Sequence, residues 1–123
     1  MANEISVNLQ LTYSNVNAAQ TFYPGSINIT QTAQGLHAPI VVLTTAPTTI
    51  SFGSLTTPGY VVGRNLDTSK YVLCGPTTTS TGDYYPFLKI KATEPFAFRL
   101  NASLWKWKCS SGTCNLQLQV YED

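Results

Sequence analysis

No stretch of this 123-residue chain keeps an apolar period of 3.6, whereas short runs of β-branched and aromatic residues recur between clusters of Gly, Pro, Asn, Ser and Thr. Such punctuation restricts the chain to strands and turns, and no helix longer than a turn is expected. About eight to ten strands at a spacing of roughly 8 to 12 residues lead to an all-β antiparallel sandwich. The specific expectation is a single jelly roll of about eight strands, forming one domain over residues 1–123. A chain of this length buries roughly two-thirds of the surface its unfolded form exposes, so it needs no metal or disulfide to fold.

The clearest alternation lies at residues 4–13, where Ile5, Val7, Leu9, Leu11 and Tyr13 face one way and Ser6, Asn8, Gln10 and Thr12 the other. A half-buried strand is expected there. Turn formers at 14–17 and 22–25 separate it from a second strand carrying Ile27 and Ile29. The apolar run at 38–45, bounded by Pro39 and Pro47, reads as a strand buried on both faces. Residues 48–55 hold Ile50 and Phe52 in a short strand.

The block PGYVVGRNLDTSKYVLCG at 58–75 carries the strongest hairpin signal, with strands at 60–65 and 71–74 joined by turn formers. Consecutive Val61 and Val62 place this hairpin in the middle of the sandwich. A polar loop follows at 76–83, then a strand at 84–91 in which Tyr85, Phe87 and either Leu88 or Ile90 compete for the core. Residues 95–100 put Phe96, Phe98 and Leu100 on one side. A last hairpin, 104–109 with 115–121, closes around a turn at 110–113.

Hydrophobic residues make up 43% of the chain and charged residues 11%, well below the roughly 25% charge of an average soluble domain. Thr, Ser, Asn and Gln fill the polar positions, which suits neutral hydrogen-bonded interfaces better than electrostatic steering. A net charge of +1 offers no basic patch to release counterions, so no nucleic-acid partner is expected. No apolar run approaches the roughly 20 residues of a membrane span, so no membrane partner is expected either. The start Met-Ala-Asn-Glu lacks the basic and apolar regions of a signal peptide, and synthesis in a cytoplasm is the expectation. Without secretion, the triplets at Asn28-Ile29-Thr30 and Asn101-Ala102-Ser103 read as chance matches to the glycosylation pattern.

Cys109 and Cys114 flank four residues and come within disulfide reach if they face each other on paired strands. A reducing cytoplasm leaves both the bridge and free thiols open. With Cys74 and His37 they make a notional Cys3His zinc set whose spacing only half matches the usual one, so no metal or cofactor is expected. A nucleophilic triad would need His37, the only histidine, with Cys74 or a serine and Asp67 or Asp83, and no G-x-S-x-G motif accompanies them. Among six carboxylates only Glu122 and Asp123 are adjacent, which argues against a glycosidase pair or a calcium loop. No catalytic residue is expected, and the chain does not read as an enzyme.

Aromatic side chains offer the remaining candidates. Trp105 and Trp107 share a strand face, with Lys106 and Lys108 on the other. They are either core, an intersubunit seam, or an exposed platform for sugar rings or bases. Tyr84 and Tyr85 join them as interface candidates. So do Ile5 and Val7, on an N-terminal strand that pairs either inside its own sheet or with a neighbouring chain.

In the stretches ISVNLQLTYSN, PGYVVGRNLDTSKYVLCGP, PFLKIKATEPFAFRL and LQVYED, the chain resembles small virion structural proteins of tailed bacteriophages. The resemblance covers most of the chain and implies a virion component made in the host bacterial cytoplasm. The leading expectation is a jelly-roll decoration or cement protein on the capsid surface, a homotrimer that bridges subunits of the major capsid protein and gains by multivalency. A tail or adaptor protein, a head-fibre component and a carbohydrate-binding receptor module are the alternatives. Against the family pattern, Cys109 and Cys114 look like a local addition.

Overall fold

A computed structural model describes residues 4–31, 33, 35–77, 84–100 and 105–123. Among them are thirteen strands and no helix, so the protein is all-β. The chain divides into two compact units, residues 1–32 and 33–123. The loop expected at 76–83, the triplet at Asn101 and Gln34 lie wholly or partly outside the described residues.

Residues 1–32 contain β1 (Ile5–Asn8), β2 (Leu11–Ser14), β3 (Ala19–Phe22) and β4 (Ser26–Ile29). β2 and β3 pair antiparallel around Asn15, whose side-chain oxygen accepts the N–H groups of Asn17 and Ala18, each at 2.8 Å. This is an Asx turn, the reason asparagine recurs at reversals. β1 pairs β4, so the four strands are two ladders of one hairpin. Val7 faces Ile27 in the first ladder and Leu11 faces Phe22 in the second, which leaves residues 9–10 opposite the three residues 23–25. Pro24 has no N–H for a ladder, and Gly25 takes a φ of 94° that the bend requires. The mismatch divides the strand expected over 4–13, and no described residue of this unit is buried.

Residues 33–123 contain β5 (Leu36–His37), β6 (Ile40–Leu43), β7 (Thr48–Thr49), β8 (Pro58–Asn65), β9 (Val72–Pro76), β10 (Leu88–Ile90), β11 (Pro95–Arg99), β12 (Trp105–Cys109) and β13 (Cys114–Glu122). One sheet runs β11-β8-β13, with β5 and β6 both pairing β13; the other runs β10-β9-β12-β7. Every pairing is antiparallel, and four of them nest: β6 with β13, β7 with β12, β8 with β11 and β9 with β10. The chain from β6 onward is thus one long hairpin whose ladders alternate between the sheets. β8 with β13 and β9 with β12 complete the two layers.

This nesting corrects both sandwich hairpins expected from the sequence. β8 and β9 belong to different sheets, and residues 66–71 carry the chain across; β12 and β13 are likewise separated. A cluster of turn formers specifies a reversal but not which sheet the chain re-enters, and here each strand pairs with one more distant in sequence. The central place expected for the 60–65 strand does hold, since β8 lies between β11 and β13. Cys109 and Cys114 are disulfide-bonded with their Cα atoms 5.7 Å apart, joining the adjacent ends of β12 and β13 across the two layers.

Three further expectations change. β6 is not buried on both faces: Leu43 is buried and Val41 packs on the core, but Ile40 and Val42 are 67% and 62% exposed. At 48–55 only Thr48 and Thr49 are strand, while Ile50 and Phe52 enter the core from irregular chain. At 84–91 the strand is confined to β10, which turns Leu88 and Ile90 inward and leaves Tyr85 and Phe87 outside. β11 points Phe96 and Phe98 at the core, as the alternation required.

Candidate functional surface

The two tryptophans answer the question left open between platform and core. On β12, Trp105, Trp107 and Cys109 alternate with Lys106 and Lys108. Trp107 is 0% exposed, with ring centroids 5.9 Å from Phe96 and 6.2 Å from Phe98, and Trp105 stacks on Phe98 at 5.3 Å. Phe96 and Phe98 come from the opposite sheet, so the cluster glues the layers together. Burial removes Trp107 from the interface candidates, and the sugar platform loses its second ring.

Tyr84 bridges Thr77, and burial, then the nearby Cys74, push its hydroxyl up to about 12. Burial likewise pushes the Cys74 thiol up to about 12. A thiol that stays protonated near neutrality is a poor nucleophile and a poor metal ligand. Cys109 and Cys114 spend their sulfurs on each other, which dismantles the notional zinc set. Among the described residues no three metal-ligating side chains converge. His37, on β5, lies against Gly53, where an added Cβ would come 3.0 Å from Nδ1.

Two carboxylates are well held, and both pin loops. Asp67 accepts the N–H groups of Ser69 at 2.8 Å and Lys70 at 2.7 Å, which lower its pKa below the ordinary value. Asp67 and Lys70, with Thr113 and Asn115, line a cleft of about 310 Å³. Lys70 Nζ is turned to the Thr113 carbonyl at 3.0 Å. Glu122 accepts the Thr56 hydroxyl at 2.6 Å and the Thr56 N–H at 2.9 Å, and its pKa is lowered as well.

A folded-state pKa below the unfolded value means stability that is present above about pH 4 and lost as pH falls through the folded value. The urea midpoint is therefore expected to drop between about pH 5 and pH 3, with Asp67→Asn showing a shallower drop than the parent. An acid profile unchanged by Asp67→Asn contradicts this.

The surface that stands out is the hairpin of residues 1–32. Ile5 opposes Ile29, Val7 opposes Ile27 and Leu11 opposes Phe22, while Ser6–Asn28, Asn8–Ser26 and Thr12–Thr21 are the intervening pairs. Cross-strand partners share a face, so the first ladder is apolar on one side and polar on the other, while in the second Leu11 and Phe22 share their side with Tyr13 and Gln20. Leu11 is 61% and Phe22 58% exposed. Ile5 and Val7, singled out from the sequence, are half-buried, as is Ile29.

A two-stranded ribbon is marginal alone in water. Covering a Leu, Ile or Phe side chain fully contributes about 1.5–3 kcal/mol. Glu4 is the only charged residue of the unit, and its carboxylate accepts the Gln31 N–H at 3.2 Å.

The sandwich presents two outer faces of different character. On the β11-β8-β13 sheet, Val42 sits beside Asn115, Val62 beside Gln119, and Gln117 between Ile40 and the exposed Arg64, a largely amide-bearing surface with one cation. On the other sheet, Lys89, Leu73 and Lys108 form one row, with Lys89 Nζ 4.1 Å from the Tyr71 ring centroid. Set against known proteins, the chain matches no family model, no curated protein and no solved structure.

Proposed function

We propose that this chain is a structural protein of a bacteriophage virion, a homotrimeric cement protein that lies on the capsid surface and joins subunits of the major capsid protein. The observation that carries this reading is the exposure of large apolar side chains, Leu11, Phe22 and Ile27, on the N-terminal hairpin. A ribbon with Leu11 and Phe22 more than half exposed is a contact element, not a catalytic one.

The nested pairing of β6 through β13 supports reading residues 33–123 as a single eight-stranded jelly roll, an architecture that viral capsid domains share with lectins and cupins. Such sharing is analogy at the level of fold. The reading is non-enzymatic, since the buried thiol, the lone histidine and the two loop-pinning carboxylates have structural surroundings. The sugar-binding alternative is weakened by the burial of Trp107.

Electron microscopy of the particle tests the proposal. Density for this chain on the outer shell, in a copy number set by the capsid lattice, is the expected result. Density at the tail, or its absence from the particle, overturns it.

A further inference from the structure

We propose that the outer face of the β10-β9-β12 sheet binds single-stranded nucleic acid, with its lysines on the phosphates and an exposed phenylalanine stacked on a base. The inference rests on residues 33–123 alone and stands or falls apart from the virion reading.

The net charge of +1 conceals a segregation. Four of the seven basic residues lie in the two short stretches 89–91 and 106–108, which hold no acidic residue. The registers put Lys89 and Lys108 on either side of Leu73, in one row across β10, β9 and β12. Two strand spacings, about 10 Å, separate their backbones. Leu88 and Ile90 turn to the core, so Phe87, Lys89 and Lys91 alternate to the outside along the edge of the sheet, Lys91 lying just past the end of β10. Phe87 is 78% exposed, and both lysines are exposed beside it. Lys89 Nζ lies over the Tyr71 ring, and among the described residues no carboxylate forms an ion pair with Lys89, Lys91 or Lys108. Lys106 is buried and takes no part.

The chain's own carboxylates do not match this row. Glu4 accepts the Gln31 N–H, Asp67 those of Ser69 and Lys70, Glu94 that of Lys91 and Glu122 that of Thr56, while Asp123 pairs with Arg99. Each described carboxylate is engaged where it stands, so neither the N-terminal hairpin nor a second copy presents a run of open anions. The occupant is a foreign polyanion.

Phe87 decides its class. Lysines along a backbone track with an aromatic ring in water beside them is the pattern by which proteins hold single strands, since every unpaired base has a face to stack. An acidic protein surface matches the ammonium groups alone and leaves the ring uncovered. A duplex keeps its bases stacked on each other and leaves it uncovered too.

Fluorescence anisotropy of a labelled oligothymidylate of about 20 nucleotides, titrated with the full chain across a salt series, is the test. Binding is expected at low salt, with log K falling against log salt at a slope of about −2 for three phosphate contacts. Lys89→Gln combined with Lys108→Gln is expected to flatten that slope to about −0.7. Phe87→Ala is expected to weaken binding about 5-fold or more and to leave the slope unchanged, because it removes stacking and no charge.

Circular dichroism and thermal unfolding check that each variant keeps the sandwich, and Lys91→Gln replaces Lys108→Gln, whose side chain is half-buried, if the latter does not fold. No binding at low salt, or binding indifferent to the lysine substitutions, overturns the proposal. Polyglutamate bound as tightly as the oligonucleotide assigns the face to an acidic protein and overturns it as well. So does a duplex bound more tightly than the single strand, or an affinity that Phe87→Ala leaves intact.

Discussion

Trp107→Ala is expected to remove about 3–5 kcal/mol of stability from the sandwich. Trp107 is completely buried and is the largest such side chain among the described residues. Its ring contacts Phe96 and Phe98 of the opposite sheet, so truncation opens a cavity between layers, where backbone ladders limit collapse. A unit of this size holds a total of about 5–14 kcal/mol. A fifth or more of that would go in one substitution, lowering the melting temperature by roughly 12–40 °C.

Trp107→Phe separates volume from hydrogen bonding. The indole Nε1 has no partner among the described residues, so phenylalanine breaks no bond there and is expected to cost about 1–2 kcal/mol through lost volume alone. Urea unfolding followed by far-ultraviolet circular dichroism measures both. A loss below about 1 kcal/mol for Trp107→Ala would mean that the aromatic cluster is not what holds the layers together.

Period-two alternation makes several inward faces legible in the amino-acid sequence. Phe96 and Phe98 on β11 point inward as their spacing requires, and Trp105 and Trp107 alternate with two lysines on β12. Partnership between strands is not legible in the same way. The polar residues at 67–70 and 110–113 are the same types that close a two-stranded hairpin, yet here both segments cross between sheets.

An uninterrupted apolar run reports hydrophobicity without direction, so β6 reads as buried on both faces although Ile40 and Val42 are exposed. The N-terminal alternation marks extended chain, but the single half-buried strand expected over 4–13 is two short strands with no buried residue. Alternation does not report depth of burial, which is why Ile5 and Val7 are the interface candidates read from the sequence although Leu11 and Phe22 are the more exposed. Isolated buried polar residues leave no periodic trace at all, and Asn65 is the chief example.

Asn65→Leu is expected to cost about 3–5 kcal/mol, because one buried amide holds together chain segments from both sheets. Asn65 ends β8 and is 0% exposed. Its Nδ2 donates to the carbonyls of Lys70 at 2.9 Å, Lys91 at 3.1 Å and Ile90 at 3.4 Å, and its Oδ1 accepts the Asp67 N–H at 3.0 Å. The crossover at 66–71 is thereby tied to the end of β10. Leucine is close in shape, so the expected loss comes from orphaned backbone groups and not from a cavity.

Asn65→Asp gives the same argument a pH signature. It sets a carboxylate oxygen among three carbonyls, which repel the charge, and protonation returns one donor. Burial and repulsion raise the folded-state pKa of that aspartate, so the variant recovers as pH falls. Its deficit relative to wild type, measured by urea unfolding at each pH, is expected to narrow from pH 7 to about pH 4. An Asn65→Leu protein within about 1 kcal/mol of the parent, or an Asn65→Asp deficit that ignores pH, would show that the amide is a passenger in the core.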